Sequence, residues 1–217
     1  MKIRDYFDKY NIKISDKQEE QFYKYYNYLI DQNKVMNLTG IVEFEDVVIK
    51  HFIDSAMIYR LNIELENKTL VDVGTGAGFP GLVLAILEPN LEVTLIDSLN
   101  KRVLFLERTI ELLGLKNVRC FHTRGEEFAK KNNTRFDLCV SRAVARIDKL
   151  FAYTIPLIKK GGKLIAYKGV FDKAEENDGK KVLNKYRCKY LQIDRFKLTD
   201  NDNNRCLVVL EKTDNSR

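Results

Sequence analysis

Between residues 70 and 81 the chain reads Leu-Val-Asp-Val-Gly-Thr-Gly-Ala-Gly-Phe-Pro-Gly, an apolar run followed by glycines at alternate positions and a proline. Glycines so spaced let a backbone turn sharply and approach a ligand closely, and a helix that follows offers amide donors at its N-terminus. Pro80 suits the first turn of such a helix, where no amide hydrogen is missed. A strand, a glycine loop and a helix in succession form a binding site for a nucleotide-like molecule.

Gly76-x-Gly78-x-x-Gly81 formally satisfies the dinucleotide fingerprint, whose glycines accommodate a pyrophosphate. Here Asp72 stands two places before Gly74, and a carboxylate beside the loop repels a phosphate and suits an ammonium. The pattern Asp72-x-Gly74-x-Gly76-x-Gly78 looks like the S-adenosylmethionine motif, in which a cationic amino-acid end replaces the pyrophosphate. Asp97, 23 residues after Gly74, falls at the end of the next strand, where a carboxylate can accept bonds from both ribose hydroxyls. After the third strand, Gly125 and Glu126 stand where an adenine is contacted. Glu126 serves equally as a helix N-terminal carboxylate stabilised by the macrodipole.

The fourth strand leads into Ser141-Arg142-Ala143-Val144-Ala145-Arg146. No Asp/Asn-Pro-Pro-aromatic sequence is present, which argues against exocyclic-amine methylation. None of the three prolines precedes a cysteine, so no Pro-Cys nucleophile for cytosine C5 exists. Arginine after Ser141 weakens a ribose 2′-hydroxyl reading. What remains is a nucleophile that needs no activation, such as guanine N7 with its in-plane lone pair, which has only to be oriented. No general base is therefore nominated. Arg142 can hold a cofactor carboxylate, an RNA phosphate or guanine O6, since its planar fork fits all three.

These residues need a scaffold, and the periodicities supply one. Short β-rich runs at 69–73, 91–96, 118–122, 136–141 and 163–168 alternate with helical stretches at 81–87, 101–113, from 126, and 149–159, the signature of a parallel sheet. Gly114 and Gly161-Gly162 fall where helix ends call for left-handed backbone. A polar helical segment to 185 and two further strands, 189–197 and 205–211, follow, with the polar run 200–204 as their tight connection. The fold class expected is α/β: a Rossmann-like, doubly wound, mostly parallel sheet closed by an antiparallel C-terminal strand, as in class I S-adenosylmethionine-dependent methyltransferases. Residues 1–62 read as an N-terminal helical cap, with Ser15 capping a helix through Phe22, Tyr25, Tyr26 and Leu29 and a second helix over 46–61, and residues 63–217 as the main domain.

The 217 residues carry a net charge of +6, distributed as −1 over residues 1–60 and +7 over the rest. That asymmetry fits a polyanion held through its phosphates, and equally a solvated basic surface. Four scattered cysteines and two histidines indicate no metal site and no disulfide framework. With no signal-like or membrane-spanning apolar run, a soluble, cytoplasmic monomer is expected, without membrane partners.

Taken in order, Asn37-Leu38-Thr39, His51-Phe52-x-Asp54-Ser55, Asp72 to Gly81, Arg124-Gly125-Glu126-Glu127-Phe128, Ser141 to Ala145 and Tyr167-Lys168-Gly169 resemble the glucose-inhibited division protein B family, bacterial 16S ribosomal RNA guanine-N7 methyltransferases. The resemblance implies S-adenosylmethionine as cofactor, 16S rRNA or the small subunit as partner, and cofactor contacts from Gly74, Phe79, Gly125, Glu126 and Arg142. Gly125 departs from the alanine common at that place. His51, Asp54 and Ser55 match a family stretch without any chemistry that the sequence assigns; a helix over the cofactor mouth is the role expected for it. Arg146 and Lys168 are the candidates for RNA contact. Three other readings stay open: a methyltransferase of another acceptor, an RNA-binding module without activity, and a nicotinamide-dependent reductase.

Overall fold

The computed structural model describes residues 1–199 and 204–213. A seven-stranded sheet runs through it: β1 Thr69–Val73, β2 Glu92–Asp97, β3 Val118–His122, β4 Phe136–Arg142, β5 Ile158–Lys168, β6 Cys188–Phe196 and β7 Arg205–Lys212. Their spatial order is β3-β2-β1-β4-β5-β7-β6, and β7 runs antiparallel to both its neighbours. The sheet order turns back between β1 and β4, which leaves a crevice at the carboxyl ends of these strands, where ligands of open α/β sheets bind.

The helices are α1 Ile3–Asp8, α2 Asp16–Met36, α3 Phe44–Val47, α4 Asp54–Ala56, α5 Gly81–Leu87, α6 Asn100–Leu113, α7 Gly125–Lys131, α8 Ile147–Thr154 and α9 Lys173–Tyr186. α2 begins with a reciprocal cap, the Gln18 amide donating to Ser15 Oγ at 3.3 Å and the Ser15 amide to Gln18 Oε1 at 2.8 Å. It ends at Asn37, in left-handed backbone with φ 51°. The second expected helix is not a uniform one. α3 passes into a π-helical turn, Val48–Ile53, then α4, then a 3₁₀ turn, Met57–Leu61. One inserted residue suffices for such a π turn, and period counting does not see it.

Two apolar layers sandwich the sheet. On one face, Ile3, Phe7, Phe22, Tyr25, Leu29 and Phe52 from the N-terminal helices join α5, α6 and sheet residues such as Leu70, Leu95 and Ile165 in one core. On the other, Ile147, Leu150 and Phe151 of α8 pack with Val71, Cys139, Leu164 and Val208. The N-terminal helices thus share the core of the sheet. Burying a side chain such as Phe22 contributes about 1.5–3 kcal/mol before entropy is counted.

Two expectations are corrected. The 149–159 helix ends at Thr154, because the Ile155–Leu157 3₁₀ turn contains Pro156 and leads directly into β5 at Ile158. Gly161, with φ 73°, consequently lies inside the long strand β5 rather than at a helix end; Gly114, with φ 63°, does cap α6. Cys139, Cys188 and Cys206 are buried thiols. Most of the connection expected at 200–204 falls outside the described residues.

Candidate cofactor site

The glycine loop is built by its neighbours. Gly74 and Thr75 donate backbone bonds to Ile96 O, at 2.8 and 3.2 Å. Gly74, Gly76 and Gly78 have φ of 72°, 62° and 100°, the left-handed region that side chains disfavour. From α2, Tyr25 donates its hydroxyl to the Ala77 carbonyl and its oxygen lies 2.7 Å from where a Cβ on Gly78 would stand. The N-terminal helices therefore press directly on the loop.

Asp72 is fully buried. Its Oδ2 accepts from Thr75 Oγ1 at 2.7 Å and from the Gly81 amide at 2.8 Å. The first amide of α5, which the sequence offers to a ligand, is thus satisfied within the chain. Oδ1 is also buried and has no partner. Burial pushes this carboxyl up to about 6, against the lowering effect of its two bonds and of the nearby Arg142 charge. A partnerless buried carboxylate oxygen beside a glycine loop is a ready acceptor for a cationic amino group.

Asp97, at the end of β2, accepts from the Gly76 amide at 2.9 Å and the Leu99 amide at 2.9 Å. Arg102 approaches it at 3.4 Å. A carboxylate has about four acceptor positions, so capacity remains for a hydroxyl pair. Around it opens a cavity of about 180 Å³ at the carboxyl ends of β1, β2 and β3, walled also by Val144 from the turn after β4. Gly74, Asp97, Gly125 and Glu126 meet in its wall, together with Val144 and Tyr153, which carry no local signal in the sequence. A Cβ on Gly125 would stand 2.4 Å from the Tyr153 carbonyl oxygen, so α8 is packed onto this position as only glycine allows. A larger, open depression of about 780 Å³ lies at the opposite ends of the strands, and its Gln18 and Asn117 amides already bond to the carbonyls of α5 and its exit.

Phe79 and Arg142 form a second group beside the cavity. Phe79 is buried in a ring cluster, with His51 at 4.5 Å and Tyr25 at 5.4 Å between centroids, and the Arg142 guanidinium lies 5.1 Å from its ring. Arg142, 16% exposed, donates to Asp54 Oδ2 at 3.0 Å and to the Lys50 carbonyl at 3.2 Å. Arg205 of β7 reaches the other oxygen of Asp54 at 3.3 Å. Burial raises the Asp54 pKa although both arginines oppose it. Thus the stretch without assigned chemistry is a joint: Asp54 bridges β4 and β7. Ser55 passes its hydroxyl to the His51 carbonyl at 2.6 Å and takes the Tyr167 hydroxyl on its own carbonyl at 2.8 Å. His51 lies 2.8 Å from Thr39 Oγ1 and 3.3 Å from Arg142, and burial drives its pKa down to about 3, so it is a neutral ring near pH 7.

Arg146, 47% exposed, pairs with Asp178 at 2.9 Å. Lys168 is 11% exposed and held by Glu175 at 2.8 Å, with its ammonium also on the Ala145 carbonyl. Nothing local in the sequence signals either pairing, since the partners lie 32 and 7 residues away on another element. Among the described residues there is no group of three metal-ligating side chains and no helix long and apolar enough to cross a membrane.

The geometry agrees with what known proteins share with this chain. The family described as rRNA small subunit methyltransferase G matches residues 18–204. A protein of that description from Clostridium botulinum (strain Alaska E43 / Type E3) is 43% identical over 203 residues, 93% of this chain and 85% of the relative. Among solved structures, a methyltransferase from Pyrococcus furiosus aligns with a TM-score of 0.60 at 16% identity, over 90% of this chain and 99% of that one. NSun6 from Pyrococcus horikoshii, solved with an S-adenosylmethionine analogue, aligns with a TM-score of 0.61 at 15% identity, over 76% of this chain and 52% of that one. These two share the fold. At the level of sequence, the chain belongs to the rRNA small subunit methyltransferase G family.

Proposed function

We propose that the cavity at the carboxyl ends of β1, β2 and β3 receives S-adenosylmethionine, and that the chain transfers its methyl group to N7 of a guanine in 16S rRNA. The observation that carries the assignment is the buried, partnerless Oδ1 of Asp72 beside three left-handed glycines, which suits a cationic amino-acid end and would repel a pyrophosphate. In this reading Asp97 has acceptor capacity for a ribose, and Gly74, Gly125 and Glu126 line the cavity beside it; Gly76, Gly78, Phe79 and Arg142, which are not in its wall, are assigned to the amino-acid end through the glycine loop and the Phe79–Arg142 contact.

When bound, the cofactor supplies a sulfonium-activated methyl group. The chain's part is orientation, since guanine N7, bearing no hydrogen, asks for no base. His51 fits that scheme, because a neutral ring stacked on Phe79 adds no second positive charge beside Arg142. Arg146, half exposed, could meet an RNA phosphate by giving up its surface pair with Asp178.

The test is transfer of labelled methyl from S-adenosylmethionine to unmethylated small subunits and to their stripped RNA, with nucleoside digestion. Label in 7-methylguanosine supports the reading and shows which form of the substrate is read. Label in another nucleoside, or none despite measured cofactor binding, refutes the N7 assignment.

A further inference from the structure

Lys168 and Glu175 have no task in the reaction just described, yet their side chains are 11% and 9% exposed and lie 2.8 Å apart. Both reach the same short stretch, the connection from β4 to α8. The Lys168 ammonium bonds to the Ala145 carbonyl, and Glu175 Oε1 accepts the Ile147 amide at 2.7 Å. That amide is the first of α8, so a carboxylate from α9 caps α8 from outside. Glu175 is itself set by Asp172, whose side chain accepts the Glu175 amide at 2.7 Å.

What these bonds restrain is an unfavourable turn. Ala143 has φ 58°, left-handed backbone in a residue with a Cβ, which persists only where the surroundings impose it. Its effect is to lay Val144 on the glycine loop: a Cβ on Gly74 would stand 2.5 Å from Val144 Cγ2. Val144 and Tyr153, the latter on α8, both line the cavity, so the turn and the helix it leads into supply one wall of it. Val144 remains 41% exposed, and its own contacts alone do not explain why the turn holds this shape.

We propose that Lys168 and Glu175 are positioning residues: a buried clasp that fixes the 143–147 turn so that Val144 closes the cofactor cavity against Gly74. This gives Lys168 a role different from RNA contact, and it rests on the assignment of S-adenosylmethionine to this cavity.

The experiment measures cofactor affinity by calorimetry, and RNA affinity as a function of salt, in the full chain. Lys168→Met should weaken S-adenosylmethionine binding by about tenfold, the scale of removing one charge-assisted bond, with the salt slope of RNA binding unchanged. Lys168→Arg, which can keep both bonds, should return affinity to within about threefold. Val144→Ala should weaken binding to a similar degree, and the Lys168→Met/Val144→Ala double variant no further than the worse single one, because both act on the same wall of the cavity. Additive effects overturn the proposal. So does a shallower RNA salt slope at unchanged cofactor affinity in Lys168→Met, or a lower melting temperature with unchanged affinity. Should Lys168→Met not fold, Val144→Ala decides alone, and unchanged affinity there is refutation. Asp97→Asn separates the two levels: if it binds the cofactor as the wild type does, the cavity assignment fails, whereas weak binding there with normal binding in the clasp variants refutes the clasp alone.

Discussion

Replacing Asp72 by Asn should make the cofactor-free protein more stable near pH 7.5 and less able to bind S-adenosylmethionine. Burial holds this carboxyl up at about 6, against an ordinary value of 3.8. The folded state therefore keeps the proton between about pH 4 and 6 while the unfolded chain has lost it. Stability falls as pH rises through that window, and the deficit is complete above 6. A shift of about two units corresponds to about 3 kcal/mol. Asn keeps an oxygen for Thr75 Oγ1 and the Gly81 amide but puts an amide group where Oδ1 had no partner, a cost of about 1–3 kcal/mol that offsets part of the gain. The net expectation at pH 7.5 is a gain of roughly 0–2 kcal/mol, or a melting temperature higher by up to about 8 °C at 2–4 °C per kcal/mol for a chain of this size. Thermal unfolding of both proteins from pH 4 to 8 isolates the effect in their difference, which should grow between pH 4 and 6 and then level off, while calorimetry reads the cofactor. A difference independent of pH, or undiminished cofactor affinity in Asp72→Asn, would refute the reasoning.

Gly125→Ala forces its new carbon against the Tyr153 carbonyl at 2.4 Å, so α8 must move by close to an ångström. Overpacking of that kind costs about 1–3 kcal/mol, and thermal unfolding should show a drop of about 2–12 °C. Asp54→Ala takes away the carboxylate shared by Arg142 and Arg205, and breaking such a buried pairing should cost about 3–5 kcal/mol, measurable by urea unfolding. Arg146→Gln should lower RNA affinity evenly across sequences and reduce the salt slope by about 0.7–0.9, the change expected when one phosphate is no longer neutralised.

How far the sequence can be read follows from the range of the forces at work. β1 and β3 stand where alternation and flanking turns put them, because both signals are local. The glycine loop and Asp97 are legible for the same reason: left-handed backbone needs glycine, and strand ends are marked by the change of period. Alternation marks β5 only from 163, five residues late, since Ile158, Lys159 and Lys160 continue the spacing of α8 and only the 3₁₀ turn at Pro156 separates them. The π turn holding His51 is invisible to period counting. Asp54 between two arginines, Val144 on Gly74 and Lys168 on Ala145 depend on partners brought together by the sheet order. Residue type suggests a charge for Lys168; only the packing shows that the charge is already committed.

The strand order has a consequence for how the chain is made. β7 lies between β5 and β6, so until 205–212 has left the ribosome β5 presents an open edge and β6 has nothing to pair with. The same strand carries Arg205, one of the two arginines on Asp54, and Asp54 belongs to helices made about 150 residues earlier. Segments far apart in order of synthesis are thus tied by one carboxylate, and a nascent chain halted before residue 205 should be a target for chaperones, with the edge of β5 exposed and Asp54 held by Arg142 alone.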